Sequence, residues 1–159
     1  MKSDEVIKTL RKCQLFSDLS DKELRSVAKF GTVEEYKEGD IIYEQGSLGT
    51  KLYILSEGRV SLHRRIDLGN TRTASTTVYV SRERPQRRLM GGWCALVGEP
   101  NAQMCSARCD KPTKVVSIGC SDLKGVMTKN SKIRVKILEM LVLILRDRIE
   151  SSYVAMETL

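Results

Sequence analysis

The sequence predicts a small, mainly β domain, a barrel or sandwich of short strands with helices before and after it. Three observations carry that prediction. Between residues 31 and 119, runs of β-branched and aromatic residues recur about every eight to twelve residues, the rhythm of an all-β domain and not of alternating strands and helices. Glycines punctuate those runs, with Gly39, Gly46, Gly58 and Gly69 falling where tight turns need them. On either side of this segment the apolar spacing changes from two to three and four residues, the helical period.

The chain divides accordingly into N-terminal helices over 1–30, a β segment over 31–119 and C-terminal helices over 120–159, all within one domain. The stretch EVIKTLRKCQLF (5–16) places Val6, Ile7, Leu10, Cys13 and Leu15 near helical spacing. Ser20 with Glu23 three residues on forms a capping box, so a second helix starts at Asp21. Seven strand runs follow: 32–40, 41–47, 51–58, 59–67, 75–81, 102–109 and 113–119. CSDLKGVMTKN (120–130) predicts a short helix with Ser121 or Asp122 near its N-cap.

Residues 131–156 predict one long helix. Ile133, Ile137, Met140, Leu141, Ile144, Leu145 and Ile149 form a stripe, and Leu138, Val142 and Leu143 add apolar surface on the other side. A helix this apolar around its girth needs two partners. The barrel covers one face, and a second copy of the chain covers the other, giving a homodimer through Ile137, Leu141, Ile144 and Leu145.

Apolar residues make up 41% of the chain and charged residues 30%, with a formal net charge of +7. That balance suits an anionic ligand or an acidic protein partner, and a plain solvated basic surface equally. Five cysteines (Cys13, Cys94, Cys105, Cys109, Cys120) show no pairing framework, and residues 1–12 lack the apolar core of a signal peptide. A reducing cytoplasm is the expected home. The densest apolar run, ILEMLVLIL (137–145), is far shorter than the roughly 18 residues a bilayer span needs.

The segment YKEGDIIYEQGSLGTKLYILSEGRVSLHRRIDLGN (36–70) resembles the cyclic-nucleotide-binding domain superfamily, which includes the sensor domains of bacterial catabolite activators, kinase A regulatory subunits and nucleotide-gated channels. The carrying residues are Gly39-Asp40-Ile41-Ile42, Gly46, Tyr53-Ile54, Gly58, Val60 and Leu62. The resemblance continues through LMGGWCALVGEP (89–100) and the terminal helices. It implies an eight-stranded β jelly roll flanked by helices, with a ligand held against a phosphate-binding cassette. That cassette commonly reads G-E-L-A-L, a short turn, then P-R-A-A or P-R-S-A. Backbone N–H groups cradle the cyclic phosphate, the arginine pairs with its charge, and the glutamate accepts from the ribose 2′-hydroxyl.

Here the cassette positions are Gly91, Gly92, Trp93, Cys94 and Ala95, then Asn101, Ala102 and Gln103 after Pro100. Gly92 stands at the glutamate position and Asn101 at the arginine position; starting the cassette at Gly92 puts Trp93 at the glutamate position and leaves Asn101 unchanged. Trp93 is the only tryptophan, placed either to stack on a purine or to plug an emptied pocket. Arg87 and Arg88, in SRERPQRR (81–88), are candidate substitute contacts to a phosphate, as a cyclic mono- or dinucleotide would present; a solvated basic loop accounts for the run as well. A basic patch of Arg64, Arg65, Arg82 and Arg88 would suit an acidic partner.

Other chemistry finds little support. Cys105 and Cys109 on one strand would lie roughly 13 Å apart, and the single histidine, His63, is on a different strand. No metal site is expected, and the cysteines read as buried thiols. RTAS (72–75) is a short chance-level match to a basophilic kinase site. No nucleophile motif or Walker loop appears, so the expectation is not an enzyme. With no recognition helix after residue 156, direct nucleic-acid binding is not expected. The expected function is a sensor module that binds a nucleotide-type ligand weakly or by non-standard contacts and signals through its last helix. The alternatives are a degenerate, dimeric interaction scaffold or the sensor fragment of a larger DNA-binding regulator.

Overall fold

Ser20 shows how locally the chain fixes its first helices. Its hydroxyl accepts from the Glu23 N–H at 3.2 Å while Glu23 Oε1 accepts from the Ser20 N–H at 2.9 Å, a complete capping box. The computed structural model describes residues 1–67, 69, 73–80 and 83–157, with the backbone alone for 67, 73–79, 94 and 155. Helix α1 spans Lys2–Lys12, a 3-10 turn spans Gln14–Phe16, and α2 spans Asp21–Ala28. The strands are β1 (Gly31–Tyr36), β2 (Ile41–Tyr43), β3 (Lys51–Glu57), β4 (Val60–Asp67), β5 (Thr73–Val80), β6 (Leu89–Gly91), β7 (Ser106–Cys109) and β8 (Thr113–Gly119). Helices α3 (Cys120–Lys129) and α4 (Ser131–Glu157) close the chain.

The eight strands form two four-stranded antiparallel sheets, ordered β1-β8-β3-β6 and β2-β7-β4-β5, the jelly roll that the resemblance implied. Strand β3 is central to the first: Leu52 faces Ile118 of β8 on one side and Gly91 of β6 on the other. Both faces of that sheet are covered, so β8 reads as a nearly continuous apolar run. Val116 and Ile118 face the helices with Leu10, Phe16, Leu24, Leu52, Ile54 and Leu123. Val115 faces the barrel interior with Leu55, Val60, Leu62, Met90, Ala107 and Cys109.

Two local expectations are corrected. The N-cap of α3 is Gly119, not Ser121 or Asp122, and it makes no side-chain cap bond; Asp122 leans back, its Oδ2 2.8 Å from where a Cβ on Gly119 would lie. On α4, Ile133, Ile137, Leu141 and Ile144 are buried in the chain's own helix-side core, with Leu145 partly so. That stripe is covered by the chain itself and cannot form the expected pairing seam. The exposed apolar residues of α4 are instead Val135, Val142, Ile149, Tyr153, Val154 and Met156, each more than half exposed.

One ion pair ties α2 to α4: Lys136 Nζ lies 2.6 Å from Glu23 Oε1, the same oxygen that caps the helix. The Lys136 ammonium and the Ser20 N–H hold the Glu23 carboxyl down to about 2, from 4.5. A group depressed in the folded state stabilises above its unfolded value and loses that contribution as pH falls through the folded one. Urea midpoints of the wild type are therefore expected to fall as pH drops from 4.5 towards 2, and Glu23→Gln to flatten that part of the profile. Equal slopes would mean the pair is inert.

His63 belongs to a structural chain. Ser61 Oγ donates to Asp110 Oδ1 at 3.0 Å and lies 2.8 Å from His63 Nε2. The serine stands between acid and imidazole, the wrong order for activating a nucleophile. Cys13, Cys105, Cys109 and Cys120 are free thiols, and burial pushes Cys13 up to about 11. Among the described residues no cluster of metal-ligating groups occurs and no helix is long and apolar enough to cross a membrane.

Candidate functional site

Strand β6 delivers the chain into the cassette through Gly91, whose φ is +104°. A Cβ there would sit 2.6 Å from the Lys51 carbonyl oxygen, so the leading glycine is required twice over, by conformation and by space. Gly92 follows, with its N–H donating to Lys51 O at 2.8 Å and its carbonyl accepting from Ala95 N–H at 3.0 Å. The Cys120 thiol donates to the same carbonyl at 3.2 Å. Residues Trp93–Leu96 then form one 3-10 turn.

The decisive contact is between two glycine backbones. A Cβ on Gly92 would lie 2.5 Å from both the carbonyl carbon and the oxygen of Gly49, and a Cβ on Gly49 would lie 3.0 Å from Gly92 Cα. The β2–β3 loop thus occupies the space where a side chain at position 92 would begin. That loop is stitched to the far arm of the cassette. Gly49 N–H donates to Asn101 O at 2.9 Å, Gln103 N–H to Ser47 O at 2.7 Å, and Gly46 N–H to Gln103 O at 2.8 Å, with a bridge from Leu48 to Ala102. Asn101 turns its own Oδ1 onto the Ala102 N–H at 3.0 Å, which occupies one backbone donor of this arm.

The remaining expected site residues scatter. Gly91, Gly92, Ala95, Asn101, Ala102 and Gln103 are brought together as the cassette, whereas Trp93 packs against the helix-side core and not among the residues that fill the barrel. The Cys94 side chain lies outside the described residues. Arg87 is engaged by α4: its Nε lies 3.4 Å from Asp147 Oδ2 and its Nη2 donates to Ser151 Oγ at 2.5 Å. Arg88 is buried and donates from Nη1 to Leu55 O at 2.9 Å. It therefore drops out of the expected surface patch, of which Arg64 and Arg65 are exposed and Arg82 lies outside the described residues, as does Arg72 of the RTAS stretch.

Sequence reasoning missed Arg148. Its guanidinium reaches from α4 to the Leu89 carbonyl on β6, the end strand of its sheet. Burial lowers its pKa, and the neighbouring Tyr43 works against that shift. Tyr43 itself, pushed up by burial, stacks on Tyr53 at 5.7 Å between ring centres against the barrel-interior cluster. Asp147, Arg148 and Ser151 together clamp α4 onto residues 87–89, immediately before the cassette. The only signal was the pair Asp147-Arg148 interrupting an apolar helix.

The cyclic nucleotide-binding domain is the family description that matches, over residues 33–130, more than half of the chain. The chain belongs to the cyclic nucleotide-binding domain family. Solved structures agree on the fold. The N-terminal domain of a transcriptional regulator from Streptomyces coelicolor A3(2) is 22% identical, with a TM-score of 0.69, covering 91% of this chain and 94% of that one. The Thermus thermophilus catabolite activator protein is 21% identical, with a TM-score of 0.68, over 91% of this chain and 62% of that one. The regulatory domain of Toxoplasma gondii PKA, solved with cAMP, is 18% identical, with a TM-score of 0.71, over 92% of this chain and 50% of that one. No curated protein matches. Cyclic nucleotide-binding domains are typically regulatory sensors rather than enzymes.

Proposed function

We propose that this chain is a non-enzymatic cytoplasmic sensor module that takes a nucleotide-type ligand weakly, through contacts other than the family's glutamate and arginine, and passes the state of its cassette to a partner through α4. The observation that carries this reading is the clamp of Asp147, Arg148 and Ser151 on residues 87–89. Movement of the cassette bears directly on those contacts, so a ligand that prefers one arrangement shifts the population of α4 positions. Losing one partner of a buried charge pair costs about 2–5 kcal/mol, roughly 30- to several-thousand-fold in affinity. A site of micromolar pedigree then binds in the millimolar range.

Calorimetry with cyclic AMP, cyclic GMP and cyclic dinucleotides tests this. Dissociation constants near a millimolar are expected for the mononucleotides; submicromolar binding of either would sink the non-standard-contact reading. Complete silence with all of them would favour the second reading, a ligand-free interaction scaffold, which the Gly92–Gly49 backbone contact supports.

Under either reading the module pairs through α4, on a different face from the stripe that the chain covers itself. Val135, Val142, Ile149 and Met156 are exposed and fall seven residues apart, and Leu138 and Leu145, three residues after the first two, stand at the edge of that face, packed in part against the chain's own core. β-Branched residues at one heptad position and leucine three on is the pattern of a parallel two-stranded coiled coil.

A further inference from the structure

Arg148 is a cation set among groups that do not neutralise it. It stands on α4, partly buried, and stays charged although burial pulls its pKa down. One donor, from Nη2, goes to the Leu89 carbonyl, which carries no net charge. The acidic groups near the guanidinium are Asp147, Tyr43, Cys13 and Cys105. Asp147 is engaged by Arg87 at 3.4 Å. Burial raises Tyr43, Cys13 and Cys105, so these three keep their protons at neutral pH. Arg87 adds repulsion. A desolvated cation is costly unless it is paired, and among the described residues no ion pair includes Arg148. Its Nε and Nη1 make no hydrogen bond there either. No atom of Arg148 is among the enclosed side-chain atoms that lack a partner, so those two donors reach open space.

Strand β6 sets that space beside the cassette. Leu89, which Arg148 holds, is followed by Met90, which pairs with Tyr53 of β3 and fills the barrel interior. Tyr53 carries the stacked ring of Tyr43, and the backbone of Gly91, first in the cassette, acts on Tyr43. The protonated Tyr43 hydroxyl is a further donor. Residues 91–103 carry no cation of their own. We propose that Arg148 supplies the missing positive charge, its Nε and Nη1 donating to the phosphate of a nucleotide-type ligand that lies against Tyr43 and Tyr53. The inference rests on the sensor function proposed above and names the contact that grips the ligand. A guanidinium fork suits an anion of this shape. One side chain then touches the ligand and the Leu89 carbonyl together, so the anion bears on α4 directly.

The full chain would be titrated with inorganic phosphate, against chloride at matched ionic strength, and with cyclic AMP, following the Arg148 Nε–H signal. Saturable shifts of that signal are expected with both. Arg148→Gln is expected to weaken cyclic AMP about tenfold, Arg148→Lys to weaken it less because the charge remains, and the remote Lys132→Gln to change nothing. Should Arg148→Gln fail to fold, the wild-type signal decides alone. Cyclic AMP that binds while this signal stays still, or that binds Arg148→Gln as tightly as the wild type, would overturn the inference and leave the sensor function standing. Phosphate that moves Arg148 while no nucleotide binds would remove the sensor function and leave the anion contact. Shifts that never saturate, or that Lys132→Gln weakens equally, would reduce the effect to attraction by a basic surface and overturn the inference, and silence towards both ligands would sink both.

Discussion

Installing the family's glutamate through Gly92→Glu will destabilise the protein by about 3 kcal/mol and will not tighten cyclic AMP binding. The reason is steric before it is electrostatic. The first atom of any side chain at 92 meets the Gly49 carbonyl at 2.5 Å, and that carbonyl is backbone, not the movable end of a side chain. Overpacking in a closely fitted interior costs about 1–3 kcal/mol, and a carboxylate placed there adds desolvation. To relieve the clash the β2–β3 loop must retreat, which strains its three backbone hydrogen bonds to residues 101 and 103. Asn101→Arg is the matched control. Asn101 is exposed and gives up only the bond to the Ala102 N–H, so stability is expected to stay within about 0.5 kcal/mol. Urea unfolding measures the first effect and calorimetry the second. A Gly92→Glu protein as stable as the wild type, with tighter cyclic AMP binding, would mean that the glycine pair is a resting position and not a built-in contact.

How far the sequence discloses this molecule depends on how local each cause is. The strand rhythm and the Ser20–Glu23 box are set by neighbours in the chain, and both appear in the structure where the pattern places them, with β6 alone lacking a predicted run. That Gly92 and Asn101, the positions the resemblance gives to the glutamate and the arginine, carry no charge is also plain. The reason for the absence is not. Gly49 and Gly92 are distant in sequence and meet only after β3 pairs with β6. The surroundings of Arg87 and Arg88 are hidden from the sequence for the same reason. A run of arginines looks like a surface loop until the fold sets α4 against one and buries the other. On α4 the periodicity itself is ambiguous, since apolar residues lie on every side and the spacing cannot say which stripe the monomer covers.

Two substitutions on α4 separate those stripes. Ile137 is fully enclosed in the helix-side core, and truncation of such a residue costs about 2–5 kcal/mol through reduced burial and the cavity left behind. Ile137→Ala is expected to lower the unfolding midpoint at every protein concentration, because the packing it removes lies within one chain. Val142→Asp acts on the opposite face, where the side chain is 65% exposed. Its cost to the monomer is expected to stay within about 0.5 kcal/mol, but two aspartates facing each other across a coiled-coil seam repel in a desolvated setting. Sedimentation is expected to show a dimer for the wild type and a monomer for Val142→Asp, and Ile149→Asp, one heptad further along, should behave in the same way. A Val142→Asp protein that remains dimeric would remove the heptad of Val135, Val142, Ile149 and Met156 as the seam. An Ile137→Ala protein that dissociates without losing stability would return the interface to the stripe that the monomer fills in this structure. Because one variant changes stability without mass and the other mass without stability, the two faces of a uniformly apolar helix become separable by measurement.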